Sequence, residues 1–313
     1  MDQVISSIES KRRSAKNAKD FEVALYYISF PCSFILLFIM LFSKAAIIGV
    51  GVFYLAFLAL LIFQNNWCKR KQKEYRETLE EGYLKPYFFD RYNGMQYEQD
   101  GFTKDEVKDF SVFSNDNLCR MFTFKARDQI KNMYRGVPFE ESYVSTDLTF
   151  KRKRGINQVK RLKYDFMGRT FSISYPALSH IDSVRISTRS FMFRSIPSLG
   201  AKYQTGNEEF DSMFNVTAAN YRDAESILTP EFMRELIGFK MQFPIVSIHI
   251  RRGMVYVAIG KSPNEIDDLF ENPLDEYRIM QAADSYVNTT SHILNGILYI
   301  LSLPQKSVGY MWQ

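Results

Sequence analysis

Two apolar stretches near the start of the chain decide how the rest of it is interpreted: ALYYISFPCSFILLFIMLF (Ala24 to Phe42) and AAIIGVGVFYLAFLALLIF (Ala45 to Phe63). Each has 19 residues and carries no charged side chain. At about 1.5 Å per residue, a helix of this length spans roughly 28 Å, close to the ~30 Å hydrocarbon thickness of a bilayer. Each stretch is therefore long enough to cross a membrane by itself.

The residue Lys44, between the two stretches, argues against one continuous helix. Such a helix would measure on the order of 60 Å and would place Lys44 in mid-membrane at a cost of about 3 kcal/mol. Two antiparallel spans joined by a tight turn avoid that cost, with a re-entrant hairpin as the alternative. Small residues in the second span favour close packing inside the hairpin over self-association into a homo-oligomer.

Basic residues flank this helical hairpin on the side of both chain ends. The turn has only Lys44, whereas each flank has five basic residues: Lys11, Arg12, Arg13, Lys16 and Lys19 before it, and Lys69, Arg70, Lys71, Lys73 and Arg76 after it. Positive charge stays on the cytoplasmic side of a bilayer. The pattern predicts a multi-pass protein of the cell's inner membrane with both termini in the cytoplasm.

Composition excludes several classes of protein. The chain has 46% hydrophobic residues, which indicates a folded protein. Its net charge of +5 is too small to indicate nucleic-acid binding. Its three cysteines support neither a disulfide framework nor a zinc cluster. A basic binding surface would therefore have to come from a short segment of the chain and not from its overall charge.

Four segments follow from these patterns: a basic N-terminal segment (1–23), the transmembrane hairpin (24–63), a helical stalk (64–85) and a cytoplasmic domain (86–313). The stalk has oppositely charged residues four positions apart and is polar on most faces. Coiled-coil pairing is the weaker alternative because no apolar heptad is visible. We expect Gly82 to cap the stalk and Pro86 to end it.

The domain after the stalk has signals for both strands and helices. RTFSISY (Arg169 to Tyr175) alternates apolar and polar residues, and FPIVSIHI-RRG-MVYVAIG predicts a hairpin that turns at Gly253. LTPEFMRELIGF predicts an amphipathic helix with Thr229 as its N-cap. A last helix is expected from about Leu274 to Leu303. The fold class is therefore α+β with an antiparallel sheet.

The C-terminal half resembles a bacterial membrane-anchored family catalogued as a domain of unknown function, of the DUF3137 type. The segments that carry the resemblance are GNEEFDSMFNV (206–216), ILTPEFMREL (227–236), VSIHI, VYVAIG and, more loosely, YDFMGRTFSI (164–173). The resemblance implies two N-terminal spans followed by a cytoplasmic domain. It implies no activity and no catalytic residue.

No catalytic motif stands out. The three histidines (His180, His249 and His292) are far apart, and His249 is expected to be solvated or to face a partner. The acidic run from Asn264 to Glu276 lacks the order of a calcium loop and is expected to be solvated. A nucleophile pair of Cys119 with a distant histidine has no local support. We therefore predict no catalytic residue, no metal site and no cofactor.

One stretch concentrates positive charge. From Leu148 to Tyr164 there is no acid and there are seven basic residues: Lys151, Arg152, Lys153, Arg154, Lys160, Arg161 and Lys163. The flanking alternation predicts two strands that meet near Gly155, with these residues as contacts for anionic lipid headgroups or a protein partner. A solvated hairpin is the plain alternative. We expect a membrane-anchored, non-catalytic binding or scaffold protein; a membrane-tethered enzyme is the alternative, and nucleic-acid binding is less favoured.

Overall fold

The computed structural model describes residues 2–40, 44–113, 119–154, 158–189 and 201–309. Within these ranges, some residues are described by their backbone alone: 2, 30, 32–40, 44–50, 119–122, 148–154, 158–164, 201–202, 268 and 305–309. The chain divides into two compact units. We call them the helical unit (1–87 and 267–282) and the sheet unit (88–266 and 283–313) and describe each by itself.

The helices of the described chain are α1 (Asp2–Met40), α2 (Lys44–Leu79), α3 (Lys85–Arg91), α4 (Lys104–Asp109), α5 (Glu208–Met213), α6 (Tyr221–Ile227), α7 (Pro230–Gln242) and α8 (Glu276–Gly309). The strands are β1 (Gln96–Asp100), β2 (Cys119–Tyr134), β3 (Val137–Arg154), β4 (Gln158–Ser174), β5 (Val184–Thr188), β6 (Ala201–Tyr203), β7 (Phe214–Ala218), β8 (Ile245–Arg251) and β9 (Met254–Gly260).

In the helical unit, α1 and α2 pack antiparallel outside the apolar stretches. The side-chain amide of Gln64 donates to the carbonyl of Ala18 at 3.1 Å, and Lys11 lies 3.9 Å from Glu74. The earlier residue of α1, Lys11, thus meets the later residue of α2, Glu74, which is the order of an antiparallel pair.

A buried seam runs along this helix pair at roughly heptad spacing. Its residues are Ile8, Arg12, Ala15 and Ala18 on α1 and Gln64, Cys68, Tyr75 and Leu79 on α2. Side chains three, four and seven positions apart share one helix face, so each set faces the other helix. The stalk region therefore has one buried face that was not visible in the sequence, because polar residues at seam positions hide the repeat.

A distant segment, residues 267–282, completes the helical unit. Glu9 accepts from the backbone N–H of Leu274 at 2.9 Å, and Arg12 donates to the carbonyl of Phe270 at 3.2 Å. Hydrogen bonds from Arg12, partly offset by burial, lower the pKa of Glu9 to about 2. Arg76 pairs with Asp267 at 2.9 Å. Charged groups thus fix this return segment to both helices.

The stalk helix does not stop where the sequence predicts. After α2, one wide π-helical turn covers Glu80–Leu84, and α3 continues to Arg91. The backbone N–H of Lys85 donates to the carbonyl of Glu80, five residues back. A π turn widens the helix locally and relieves the clash that Pro86 would cause with a carbonyl of the preceding turn. Pro86 therefore does not end the helix.

One helical run in the described chain, Gly51–Arg91, is long and apolar enough to cross a membrane. Only 11% of its most apolar 18-residue stretch is buried, whereas the core helix of a soluble protein is mostly buried. For most of the first predicted span, Ala24 to Phe42, the side chains lie outside the described residues. The two-span anchor therefore stays a prediction.

The sheet unit has a nine-stranded sheet in the described part of the chain, in the order β1-β2-β3-β4-β9-β8-β5-β7-β6. Each neighbouring pair is antiparallel. The predicted α+β class with an antiparallel sheet is confirmed. Gly168 lets β4 approach β9 closely, because a Cβ there would lie 2.0 Å from the carbonyl oxygen of Ile259.

Several local predictions are confirmed because local chemistry determines them. Thr229 accepts from the backbone N–H of Phe232 and caps α7. The β8–β9 hairpin turns through Arg252 and Gly253, both at positive φ. The last helix is observed as α8, and its predicted inner face is buried: Tyr286, Thr290, Ile293, Ile297 and Leu301.

Candidate functional site

The strands β3 and β4 extend beyond their neighbours in the sheet. β4 pairs with β9 only from Gly168 to Ser174, and β3 pairs with β2 only as far as Phe150. The remaining ends of β3 and β4 pair with each other up to Arg154 and Gln158. At about 3.3 Å per residue, β4 runs on for roughly 30 Å past its last β9 partner. We call residues 148–154 and 158–164 the basic ribbon.

The register of the basic ribbon places like charges opposite each other. Lys151 pairs with Arg161, and Arg152 pairs with Lys160. Like charges directly across a two-stranded ladder are destabilising, and a two-stranded ribbon by itself is marginal in water. The ribbon is therefore poorly stabilised by its own cross-strand pairs.

The predicted contact residues all fall in these strand ends, and the structure brings them together along the backbone. They are Lys151, Arg152, Lys153 and Arg154 on β3, and Lys160, Arg161 and Lys163 on β4. The predicted meeting of two strands near Gly155 is confirmed. Their side chains, and residues 155–157, lie outside the described residues.

A buried charge network fixes β3 to β4 in the body of the sheet. Arg169 of β4 is fully buried and pairs with Glu141 of β3 and with Glu265, each at 2.6 Å. Its other donors reach Ser262 Oγ at 3.1 Å and Thr290 Oγ1 at 2.8 Å. The two carboxylates hold the charged form, so the pKa of Arg169 is raised although burial acts against it.

The network continues through the ring of Tyr286, which stacks 4.0 Å below the Arg169 guanidinium. The Tyr286 hydroxyl donates to the carbonyl of Asp128 at 2.8 Å. The carboxylate of Asp128 accepts from Tyr97 at 2.7 Å and from Asn264 at 2.6 Å. Strands, the 262–265 loop and α8 are thus joined by one set of hydrogen bonds.

All three guanidinium nitrogens of Arg169 donate to protein acceptors. The network therefore holds the ribbon's base in register and leaves no donor of Arg169 for a ligand. No motif in the sequence predicts this network. The available signal was the position of Arg169 at the start of the predicted strand RTFSISY, whose other residues are apolar or carry hydroxyl groups. A charge buried in such a strand needs a charged or hydrogen-bonding partner.

A second polar cluster lies under the loop at 110–113. His249 is only 2% exposed, and its Nδ1 lies 2.8 Å from the carbonyl oxygen of Phe110. Ser247 and Arg185 both donate to the carbonyl of Val112. The prediction that His249 is solvated or faces a partner is wrong, because these polar strand residues bind the backbone of the covering loop.

His249 also lies 3.0 Å from the hydroxyl of Ser183 through its Nε2. Burial lowers the pKa of His249 to about 4. The hydrogen bond with the Phe110 carbonyl favours the charged form and offsets only part of this effect. A neutral imidazole next to a hydroxyl is the arrangement that activates a nucleophile. Here, however, a carbonyl rather than a carboxylate orients the ring, and burial disfavours the imidazolium that catalysis requires. The pair serves to fix the loop.

The acidic run from Asn264 to Glu276 was predicted to be a solvated loop, but three of its acids form ion pairs. Glu265 belongs to the Arg169 network; in the helical unit, Asp267 pairs with Arg76, and Glu271 with Lys19 at 2.7 Å. Among the described residues, no group of three or more His, Cys, Asp or Glu could hold a metal ion. The side chain of Cys119 lies outside the described residues.

Comparison with known proteins supports the resemblance. Residues 163–300 match a family described as Protein of unknown function (DUF3137). The match takes in most of β4, all of β5 to β9 and most of α8. No curated protein and no solved structure matches the chain. The resemblance is thus confirmed over residues 163–300, which are less than half of the chain, and the family brings no assigned activity.

Proposed function

We propose that this chain is a membrane-anchored, non-catalytic binding or scaffold protein, whose basic ribbon contacts anionic lipid headgroups or a protein partner at the cytoplasmic face. The observation that carries the proposal is the ribbon's register, with Lys151 opposite Arg161 and Arg152 opposite Lys160. Because the like charges on the two strands repel each other, negative charge on a partner would stabilise the paired strands.

Exposure around α2 supports the anchor. The consecutive residues Val52, Phe53, Tyr54 and Leu55 are all exposed, as are Ile62 and Phe63. Four consecutive positions on a helix cover its whole circumference, whereas a surface for one protein partner would form a stripe. Apolar exposure on all sides fits lipid contact.

The antiparallel pairing of α1 with α2 supports a second span. Because Ala18 meets Gln64, continuation of both helices carries Ala24 to Phe42 alongside Ala45 to Phe63. We propose that both stretches cross the inner membrane and turn near Lys44. The basic flanks then place both termini in the cytoplasm.

The basic ribbon has the charge that a lipid surface attracts. Each basic residue near an anionic leaflet contributes about 1 kcal/mol, so seven residues acting together give a contact that depends strongly on lipid charge and salt. The same charges fit an acidic protein surface. Nucleic-acid binding has less support, since the net charge of +5 is small for it.

The test measures amide hydrogen exchange of the full chain in nanodiscs. We expect the ribbon amides to be protected in discs with anionic lipid, less protected at high salt, and unprotected in neutral discs. Changing Lys151, Arg152, Lys153 and Arg154 together to Gln should abolish the difference between the two lipids. A matched control changes four exposed basic residues elsewhere on the sheet unit: Lys108, Arg222, Arg234 and Arg251.

A protein partner gives a different result in the same design. Protection would then be absent with either lipid but would appear with the purified partner, and the ribbon variant would lose that partner while the control variant kept it. Exchange that responds to neither lipid nor protein would refute the proposal.

A further inference from the structure

The register of the basic ribbon sorts its residues onto two different faces. Leu148 pairs with Tyr164, and Phe150 pairs with Leu162. Residues directly opposite in an antiparallel ladder share a face, and so do residues two positions apart along a strand. These four residues therefore lie on one face, which we call the apolar face of the ribbon.

The apolar face is continuous with a buried face of the sheet. In the same register Thr146 pairs with Phe166 and Val144 with Gly168, and both Val144 and Phe166 belong to a core cluster. Beyond Gly168, however, β4 has no β9 partner. Tyr164 and Leu162 are roughly 13 and 20 Å past that point at about 3.3 Å per residue. The apolar pattern thus continues where β4 has lost its β9 partner, although β2 still pairs with β3 as far as Phe150.

The composition of the two faces differs. Toward the tip, the apolar face continues with Arg152 opposite Lys160, whereas the other face has Thr149 opposite Lys163 and Lys151 opposite Arg161. Apolar and aromatic residues bordered by basic ones, without any acid, are the composition of elements that lie in a membrane interface. An acidic protein groove would need the charges but not this apolar pairing.

We infer that the ribbon lies along the surface of an anionic bilayer with its apolar face at the boundary between headgroups and acyl chains. This inference rests on the proposed function and deepens it by naming the partner. The basic residues contact lipid phosphates, and Leu148, Phe150, Leu162 and Tyr164 enter the interface. Charge complementarity with anionic lipid selects this occupant over a neutral surface.

The test places tryptophan at neighbouring positions on opposite faces. In full-length protein with Trp67 and Trp312 changed to Phe, one variant has Phe150→Trp and its matched control has Thr149→Trp. Both are reconstituted in anionic nanodiscs whose acyl chains carry bromine, which quenches indole fluorescence on contact. We expect Phe150→Trp to be blue-shifted and its emission at least halved, and Thr149→Trp to change much less.

Leu162→Trp provides a second probe on the apolar face, should Phe150→Trp fail to fold. Hydrogen exchange of the β4–β9 pairing checks that each variant retains the sheet. Neutral brominated discs should leave both faces unquenched.

The outcomes separate this inference from the proposed function. Selective quenching of the apolar face in anionic discs supports it. Ribbon amides protected by anionic lipid, with neither tryptophan quenched, would overturn the insertion and leave a contact through charge alone. Equal quenching on both faces would overturn the face assignment. The absence of both quenching and protection would overturn the lipid contact of the proposed function as well, and would leave only its protein partner to be tested by exchange.

Discussion

Replacing Glu141 by Gln should destabilise the sheet unit by about 3 kcal/mol, because it removes a fully buried carboxylate from Arg169. The change keeps the size of the side chain but leaves the guanidinium with one carboxylate, Glu265. Glu265 is 15% exposed, so Glu265→Gln should cost only about 1 kcal/mol, since water replaces part of what is lost.

These values translate into melting temperatures. For a unit of this size, about 1 kcal/mol shifts the midpoint by ~2–4 °C, so the expected losses are roughly 6–12 °C for Glu141→Gln and ~2–4 °C for Glu265→Gln. The assay is thermal unfolding of the full chain in nanodiscs, followed by the circular dichroism of the sheet. Glu225→Gln, at an exposed carboxylate on α6, is the matched control and should leave the midpoint unchanged.

Two results would refute this reasoning. One is a Glu141→Gln midpoint within the error of the control, and the other is a larger loss for Glu265→Gln. A triple replacement by apolar residues, Glu141→Leu, Arg169→Met and Glu265→Leu, should recover most of the stability, because burying charge is itself costly.

Two further predictions concern pH and backbone packing. The pKa of His249 falls from 6.5 to about 4 on folding, so its contribution is fully present above pH 6.5 and is lost as pH falls toward 4. The free energy of unfolding from urea titrations should drop by up to about 3 kcal/mol over that range, and His249→Asn should flatten this pH dependence; an unaltered slope would contradict the assignment. Gly168→Ala should cost at least ~1–3 kcal/mol because its Cβ meets the Ile259 carbonyl, whereas Gly238→Ala, with open space in α7, should gain about 0.5–1 kcal/mol. Equal midpoints for the two alanine variants would contradict the close approach of β4 to β9.

Features set by neighbouring residues were predictable from the sequence. The Thr229 cap, the Gly253 turn and the inner face of α8 each depend on side chains within a few positions of one another. The alternation around Gly155 likewise predicted the β3–β4 pairing. These elements are local, so a single sequence contains the information that forms them.

Features that join distant residues were not predictable. The partners of Arg169 come from β3, the loop after β9 and α8, and no spacing in the sequence relates them. Gln64 and Arg12 interrupt the apolar repeat of the helical seam, so its heptads were not visible. The π turn at Glu80–Leu84 allowed a proline that a regular helix excludes.

The pairing of β4 with β9 has a consequence for the order of events during synthesis. Gly168 pairs with Gly260, about ninety residues later in the chain. At ~5–20 residues per second, the outer edge of β4 waits on the order of 5–20 s for its partner. During that time its row of unpaired backbone groups could join another nascent chain. The Lys and Arg residues at the end of β4 lie outside the β9 pairing, and their charges disfavour such an edge-to-edge contact both before and after β9 pairs with the rest of the strand.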